Sequence, residues 1–253
     1  MEVTFLGTGT SQGIPIIGSS HPVCLSKNPK DKRLRVSVLV KWEGYNILID
    51  CGPDFRAQML NNNVQRLDAI LYTHEHNDHT AGLDDIRPFF FRQGDIPVFA
   101  HKRVLKCMRK RFDYIFETEN KYPGAPGVIE NEIENKPFYF KELEIVPVDF
   151  LHNRLQVFGF RMKDFAYLTD LKSIEEKEMD KLRDLKVLVV NALRIEPHHS
   201  HLNLEEALEF IDKLKPERAY LTHISHLLGF HDEVQEQLPE NVFLAYDNLK
   251  ITI

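Results

Sequence analysis

Cysteine is scarce in this chain: Cys24, Cys51 and Cys107 are the only three in 253 residues, an odd number at wide spacing. That excludes a disulfide framework and fits a reducing compartment. Long apolar runs are missing as well, because no stretch approaches the roughly 18 uninterrupted apolar residues that a membrane-spanning helix needs. The first residues, "MEVTFLGTGT", show no basic segment followed by an apolar core, so a cytoplasmic location with no membrane partner is expected. A basic surplus is absent too. Thirty-two Lys and Arg stand against 38 Asp and Glu, a formal charge of -6, which removes the global field that gathers nucleic acid non-specifically. No Ser- or Gly-rich linker interrupts the chain, and 1–253 is expected to form one domain.

What is present supports a large core, at 43% hydrophobic residues. Short apolar runs bounded by turn residues read as strands: "VTFLG", "RVSVLV", "YNILID", "DAILYTH" and "IPVFA" early, then "FYF", "LEIVPVDF", "VFGFRM", "FAYLTD", "KVLVVNA", "RAYLTHI", "VFLAYD" and "LKITI". Between them, "DFRAQMLNN", "KRVLKCMRKRF", "SIEEKEMDKLRDL" and "NLEEALEFIDKL" repeat apolar residues at helical intervals. The class is α/β. Glu117 to Pro137 is the one long turn-rich, acidic stretch, read either as a flap or as a surface connection.

The densest chemistry lies in "YTHEHNDHTAGLDDIRPF", Tyr72 to Phe89, where His74, His76, Asp78 and His79 fall within six positions after an apolar run. A lone His-x-His is ordinarily a solvated turn, so a metal site requires partners elsewhere. His152, Asp170 and His223 each follow an apolar run, where strand C-terminal ends converge on one rim. Imidazole and carboxylate together suit zinc and similar first-row metals. These seven residues exceed the needs of one tetrahedral ion, and two ions sharing a carboxylate would use them all. The helical zinc-protease pattern His-Glu-x-x-His is absent, since His74 and Glu75 are followed by Asn77 and Asp78.

The order His-x-His-x-Asp-His, a lone His, an Asp after a strand and a final His resembles the metallo-β-lactamase fold superfamily along the whole chain. The resemblance implies a four-layer αββα sandwich with two zinc or manganese ions at the edge between the sheets. His74, His76 and His152 would then hold one ion, Asp78, His79 and His223 the other, and Asp170 would bridge both. More narrowly, "FLGTGTSQGIPIIG", "HPVC", "HLNLEEAL" and "LTHISH" are similar to the phosphoribosyl 1,2-cyclic phosphate phosphodiesterases of phosphonate utilisation. Members of that branch carry a cysteine cluster for an additional structural zinc. Here the matching positions read Ser19, His21 and Cys24, with His226 as the late partner, so that site has three evident ligands, balanced against His21 and Cys24 being plain loop residues.

Smaller signals have two readings each. "GTGTSQG" lacks the Gly-Lys-Ser/Thr ending of a nucleotide P-loop and reads as a tight turn built on Gly7, Gly9 and Gly13. Asp50 either orients a metal-bound histidine or ends a strand as a turn residue. In "EPHHSHLN", His201 matches the wider superfamily pattern and His199 the phosphodiesterase branch, and either is a candidate general acid. His101 and His231 have no identifiable partners and are expected to be solvated.

The resemblance implies a metal-dependent phosphodiesterase that opens a small cyclic phosphate such as a phosphoribosyl 1,2-cyclic phosphate, with a bridging hydroxide as nucleophile. The rivals are an RNA 3′-end processing endonuclease, a thioester or lactone hydrolase, and a non-catalytic metal-binding protein. RNA-processing relatives carry a basic arm, whereas Glu117 to Pro137 is acidic. The expected partner is therefore a small phosphodiester and not nucleic acid, with a homodimer left open.

Overall fold

In the computed structural model the described residues are 1–117, 119 and 121–253. Among them fifteen strands occur in chain order: β1 Glu2–Gly7, β2 Ser37–Trp42, β3 Tyr45–Ile49, β4 Ala69–Leu71, β5 Ile96–His101, β6 Val128–Ile133, β7 Phe138–Phe140, β8 Leu143–His152, β9 Leu155–Met162, β10 Phe165–Leu168, β11 Ser173–Ile174, β12 Val187–Asn191, β13 Arg218–Thr222, β14 Val242–Leu244 and β15 Lys250–Thr252. One sheet runs β15, β1, β2, β3, β4, β5, β6. The other runs β11, β8, β9, β10, β12, β13, β14, with β7 paired to β8.

Alternation within the strands explains the layering. In β3, Ile47 and Ile49 enter the core between the sheets, while Leu48 faces the opposite side. In β12, Val187 and Val189 enter that same core from the second sheet, and Leu188 and Val190 point outward. A strand buried on both faces reads as a continuous apolar run, as "VLVV" does. The outward faces are covered by helices. Phe55–Asn61 and Lys102–Arg111 supply Phe55, Met59, Val104, Leu105 and Met108 on one side, and Leu204–Leu214 supplies Ala207, Phe210 and Ile211 on the other. The helix Leu204–Leu214 starts at a capping box in which Asn203 and Glu206 satisfy each other's backbone N–H. Three apolar interfaces thus separate four layers, the αββα sandwich.

Two expectations need correction. The stretch Glu117 to Pro137 contains the edge strand β6, which pairs in parallel with β5 from Ile96↔Val128 to His101↔Ile133; Thr118 and Asn120 lie outside the described residues. "SIEEKEMDKLRDL" is not one helix. Ser173–Ile174 pairs with Leu151 and Phe150 at the edge of β8, leaving only the short turns Glu176–Met179 and Asp180–Leu182. Glu178 pins that segment by accepting from Asp149 N and Lys181 Nζ. Among the described residues no helix is long and apolar enough to cross a membrane.

Candidate metal centre

The parallel strands β3 and β4 of one sheet, and β10 and β13 of the other, bring their C-terminal ends to one rim. Asp50 follows β3, His74 lies beyond β4, Asp170 beyond β10, and His223 directly after β13. β8 pairs antiparallel with β9 and β9 antiparallel with β10, so β8 also ends there, at His152. Asp50, Asp170 and His223 adopt left-handed backbone conformations, φ 63°, 64° and 54°. Each such residue costs on the order of 1 kcal/mol or more, and such strain clusters where function needs it.

All seven residues expected as ligands meet at this rim. His79 Nε2 is 3.3 Å from Asp78 Oδ2 and 3.2 Å from Asp170 Oδ2. His223 Nε2 is 3.3 Å from Asp170 Oδ1 and 3.8 Å from Asp78 Oδ2. His74 Nε2 lies 3.0 Å from His76 Nδ1, and the His76 and His152 rings are 5.3 Å apart. Three donor sets converge within 4.8 Å: His74, His79 and Asp170; Asp78, His79 and His223; and His152, Asp170 and His201. Asp170 and His79 therefore sit where the sets overlap.

The electrostatics call for positive charge. Burial works against ionisation of Asp170, yet His223, His79 and His201 outweigh it and hold the carboxyl well below its ordinary range. For Asp78 burial is likewise overcome, by His79 and His223. Burial opposes a charged His79, but Asp78, Asp170 and Asp50 prevail and raise its pKa well above that of ordinary imidazole. Burial pushes His74 down. His79 Nε2, His201 Nδ1 and both ring nitrogens of His223 are buried without hydrogen-bond partners. Unpartnered imidazole nitrogens aimed at ionised carboxylates are a donor set suited to divalent cations.

Outside the donors, Asp50 Oδ2 is 2.7 Å from His79 Nδ1 and also accepts from Thr73 Oγ1, while its Oδ1 accepts from Thr73 N. His152 Nδ1 sits 2.7 Å from the Ser200 carbonyl, so that nitrogen donates and Nε2 is free to bind a cation. Gly52 and Gly82 let backbones touch. A Cβ on Gly52 would meet the Asp78 carbonyl, and one on Gly82 would meet the Gly52 carbonyl. Thr73, Gly52, Gly82 and Ser200 were not singled out from sequence. The two glycines in "DCGPD" and "TAGLDD" flanking the ligand motif were the available signal.

The histidine candidates separate. The His201 ring is buried, stacks on His223 at 4.8 Å and lies 4.4 Å from His152, with Nδ1 3.5 Å from Asp170 Oδ1. Burial lowers its pKa to about 2 against the pull of Asp170. His199 is exposed, with its ring 4.3 Å from that of His198. Neither of the other two histidines is simply solvated. His101 Nδ1 accepts from Arg103 N at the start of the helix Lys102–Arg111, and His231 is buried with Nδ1 3.1 Å from Arg33 Nη2. The His21 and His226 rings meet edge to face at 4.7 Å, while Cys24 is buried among Ile14, Val23, Ile16 and Phe230. Among the described residues, no converging set of three donors includes His21, Cys24 or His226.

Residues 45–224 match the family described as the beta-lactamase superfamily domain. A solved structure described as a new diphosphatase from the PhnP family is 38% identical, with a TM-score of 0.93, covering 100% of this chain and 97% of that one. An octanoyltransferase of Porphyromonas gingivalis is 38% identical over 256 residues, 100% of this chain and 52% of that protein. A ribonuclease Z of Nanoarchaeum equitans is 25% identical over 182 residues, 67% of this chain and 55% of that protein. The chain spans about half the length of these curated relatives. With the family match across the metal centre and near-complete coverage of the diphosphatase, the chain belongs to the β-lactamase superfamily, in its PhnP branch.

Proposed function

We propose that residues 1–253 form a single metal-dependent hydrolase domain that cleaves a small organic phosphodiester, such as a phosphoribosyl 1,2-cyclic phosphate, in the cytoplasm. The observation that carries this reading is the convergence of ionised Asp78 and Asp170 with partnerless nitrogens of His79, His201 and His223. His74, His76 and His152 would hold one zinc or manganese ion and Asp78, His79 and His223 a second, with Asp170 shared between them. When bound, such a pair lowers the pKa of water toward about 7 and neutralises charge on phosphoryl oxygens.

The chain's own groups do the rest. Asp50 fixes the His79 ring so that Nε2 faces the centre, and the Ser200 carbonyl does the same for His152. His201, beside Asp170 and His223, protonates the departing alkoxide as general acid. Burial keeps the His201 imidazole neutral in the free chain, so to act as acid it takes up a proton from solvent once the anionic phosphate is bound beside it, charge that favours imidazolium. The diphosphatase relative supports phosphorus–oxygen chemistry.

Acyl chemistry is the second reading, because the Porphyromonas relative bears the name octanoyltransferase and a water activated at such a centre attacks thioester carbonyls as well. Assays of the zinc- and manganese-loaded protein on an alkyl phosphodiester and an acyl thioester decide between them. Turnover of the diester alone is expected, and turnover of the thioester alone would overturn the phosphodiesterase reading.

A further inference from the structure

The two sides of the metal centre are anchored by different devices. On the His79 side the anchor is Asp50. On the other side the chain alternates through His74, Glu75 and His76, and Glu75 turns instead toward the helix Lys102–Arg111. Glu75 Oε1 meets Arg103 Nε at 2.8 Å, with the carboxylate mostly buried and Oε2 without a hydrogen-bond partner. Arg103 Nη2 reaches onward to donate to the Gln156 carbonyl at 2.5 Å. Gln156 lies in β9 opposite Leu151, one position from the His152↔Leu155 pair. One guanidinium therefore ties the turn carrying His74 and His76 to the hairpin carrying His152. Arg111 Nη1 completes the brace, donating to the Glu75 carbonyl at 2.8 Å and to Thr80 Oγ1 at 2.9 Å, and Thr80 Oγ1 itself donates to the His76 carbonyl.

We infer that Glu75, Arg103 and Arg111 are positioning residues that set the separation of His74 and His76 from His152, a half of the metal centre that Asp50 reaches only through Thr73, whose Oγ1 lies 3.0 Å from His74 Nδ1. Arg103 suits this task, since its guanidinium pairs as an ion with the carboxylate of the turn after β4 and donates to a carbonyl of β9 at once. Because Glu75 and Arg103 touch neither His79 nor Asp50 in this brace, their loss is expected to weaken one ion more than the other. The inference rests on the two-ion reading proposed above.

The test is competition of the zinc-loaded protein against a chromophoric chelator, resolving the two ions in wild type, Arg103→Met, the near-isosteric Glu75→Gln and the double variant. The cobalt(II) absorption spectrum serves as a second readout. In both single variants one ion is expected to be lost about 10–100-fold more readily, with a smaller change in the other. The double variant is expected to match the singles, because the two residues act as one link. Glu75→Gln preserves shape and keeps the test valid if Arg103→Met does not fold. Equal weakening of both ions, or no weakening, would overturn the positioning role. A wild type that binds only one ion would overturn the two-ion reading, and the inference with it.

Discussion

Asp50 Oδ2 and His79 Nδ1 are 2.7 Å apart with both side chains fully buried, and the same carboxylate takes both the backbone and the hydroxyl hydrogen of Thr73. A carboxylate so fully employed fixes the imidazole tautomer and ring plane, leaving Nε2 directed between Asp78 and Asp170. Asp50→Asn preserves the shape and removes the charge. Its expected effect is a loss of about 10–100-fold in affinity for the ion held with His79, read by chelator competition, with secondary structure unchanged by circular dichroism. Wild-type affinity in the variant would show that Asp50 is only a turn residue.

Elemental analysis of protein reloaded with zinc or manganese should approach two ions per chain. Because the ions bind only the folded state, their removal should lower stability by about 2.7 kcal/mol for each site that had been held at 100-fold excess over its Kd. Asp170→Ala, which removes the carboxylate between His79, His223 and His201, should abolish diester hydrolysis. A reloaded protein that never exceeds one ion, or an Asp170→Ala variant that keeps wild-type turnover, would contradict the shared-carboxylate arrangement.

Strands buried on both faces were legible in the sequence because burial writes itself into composition. "VLVV" of β12 and "AYL" of β13 have no alternation to misread. β6 escaped because its sequence, Val128–Ile133, is "VIENEI": an edge strand beside β5 needs backbone pairing on one side only and tolerates Glu130 and Glu132. The donors were legible for a related reason, since each follows an apolar run and a strand's end is the natural place for an exposed side chain. Their supports were not. Glu75 and Arg103 stand 28 positions apart, and Asp50 and His79 29 apart, so no local spacing announces either pair. His231 misled for the opposite reason: its partner, Arg33, is distant in sequence and buried, and a lone histidine looks solvated until the chain closes over it.

That buried pair carries a pH prediction. Burial, then Arg33 and Lys30, lowers the His231 pKa from 6.5 to about 4. The unfolded chain therefore takes up this proton before the folded one does. The stability contribution is complete above about pH 6.5 and is lost as pH falls toward 4. Nearby Asp247, raised by burial to about 6, works the other way, since the folded state is the first to bind its proton. His231→Gln retains an acceptor for Arg33 but cannot titrate. Urea unfolding of the chelated protein between pH 6.5 and 4 should show the variant losing less stability than wild type, by on the order of 2 kcal/mol. Parallel pH profiles would mean that His231 takes up its proton in the folded state over the same range as in the unfolded chain.

The leaving group decides between the two histidines proposed as acid. An alkyl diester expels a poorly departing alkoxide that gains from protonation, whereas an activated aryl diester expels a stable phenolate that does not. His201 stacks on His223 and faces Asp170, while His199 is exposed beside the ring of His198. His201→Ala should therefore slow the alkyl diester by about 10²–10⁴-fold and the aryl diester far less. His199→Ala should treat the two substrates alike, with small losses on both. The comparison is internal, because any loss of metal in a variant depresses both rates together and leaves their ratio unchanged. An alkyl-selective defect in His199→Ala would transfer the role to His199 and require the surface loop to close over bound substrate. Equal losses on both substrates in both variants would exclude each imidazole as the acid and leave water in the centre as the proton source.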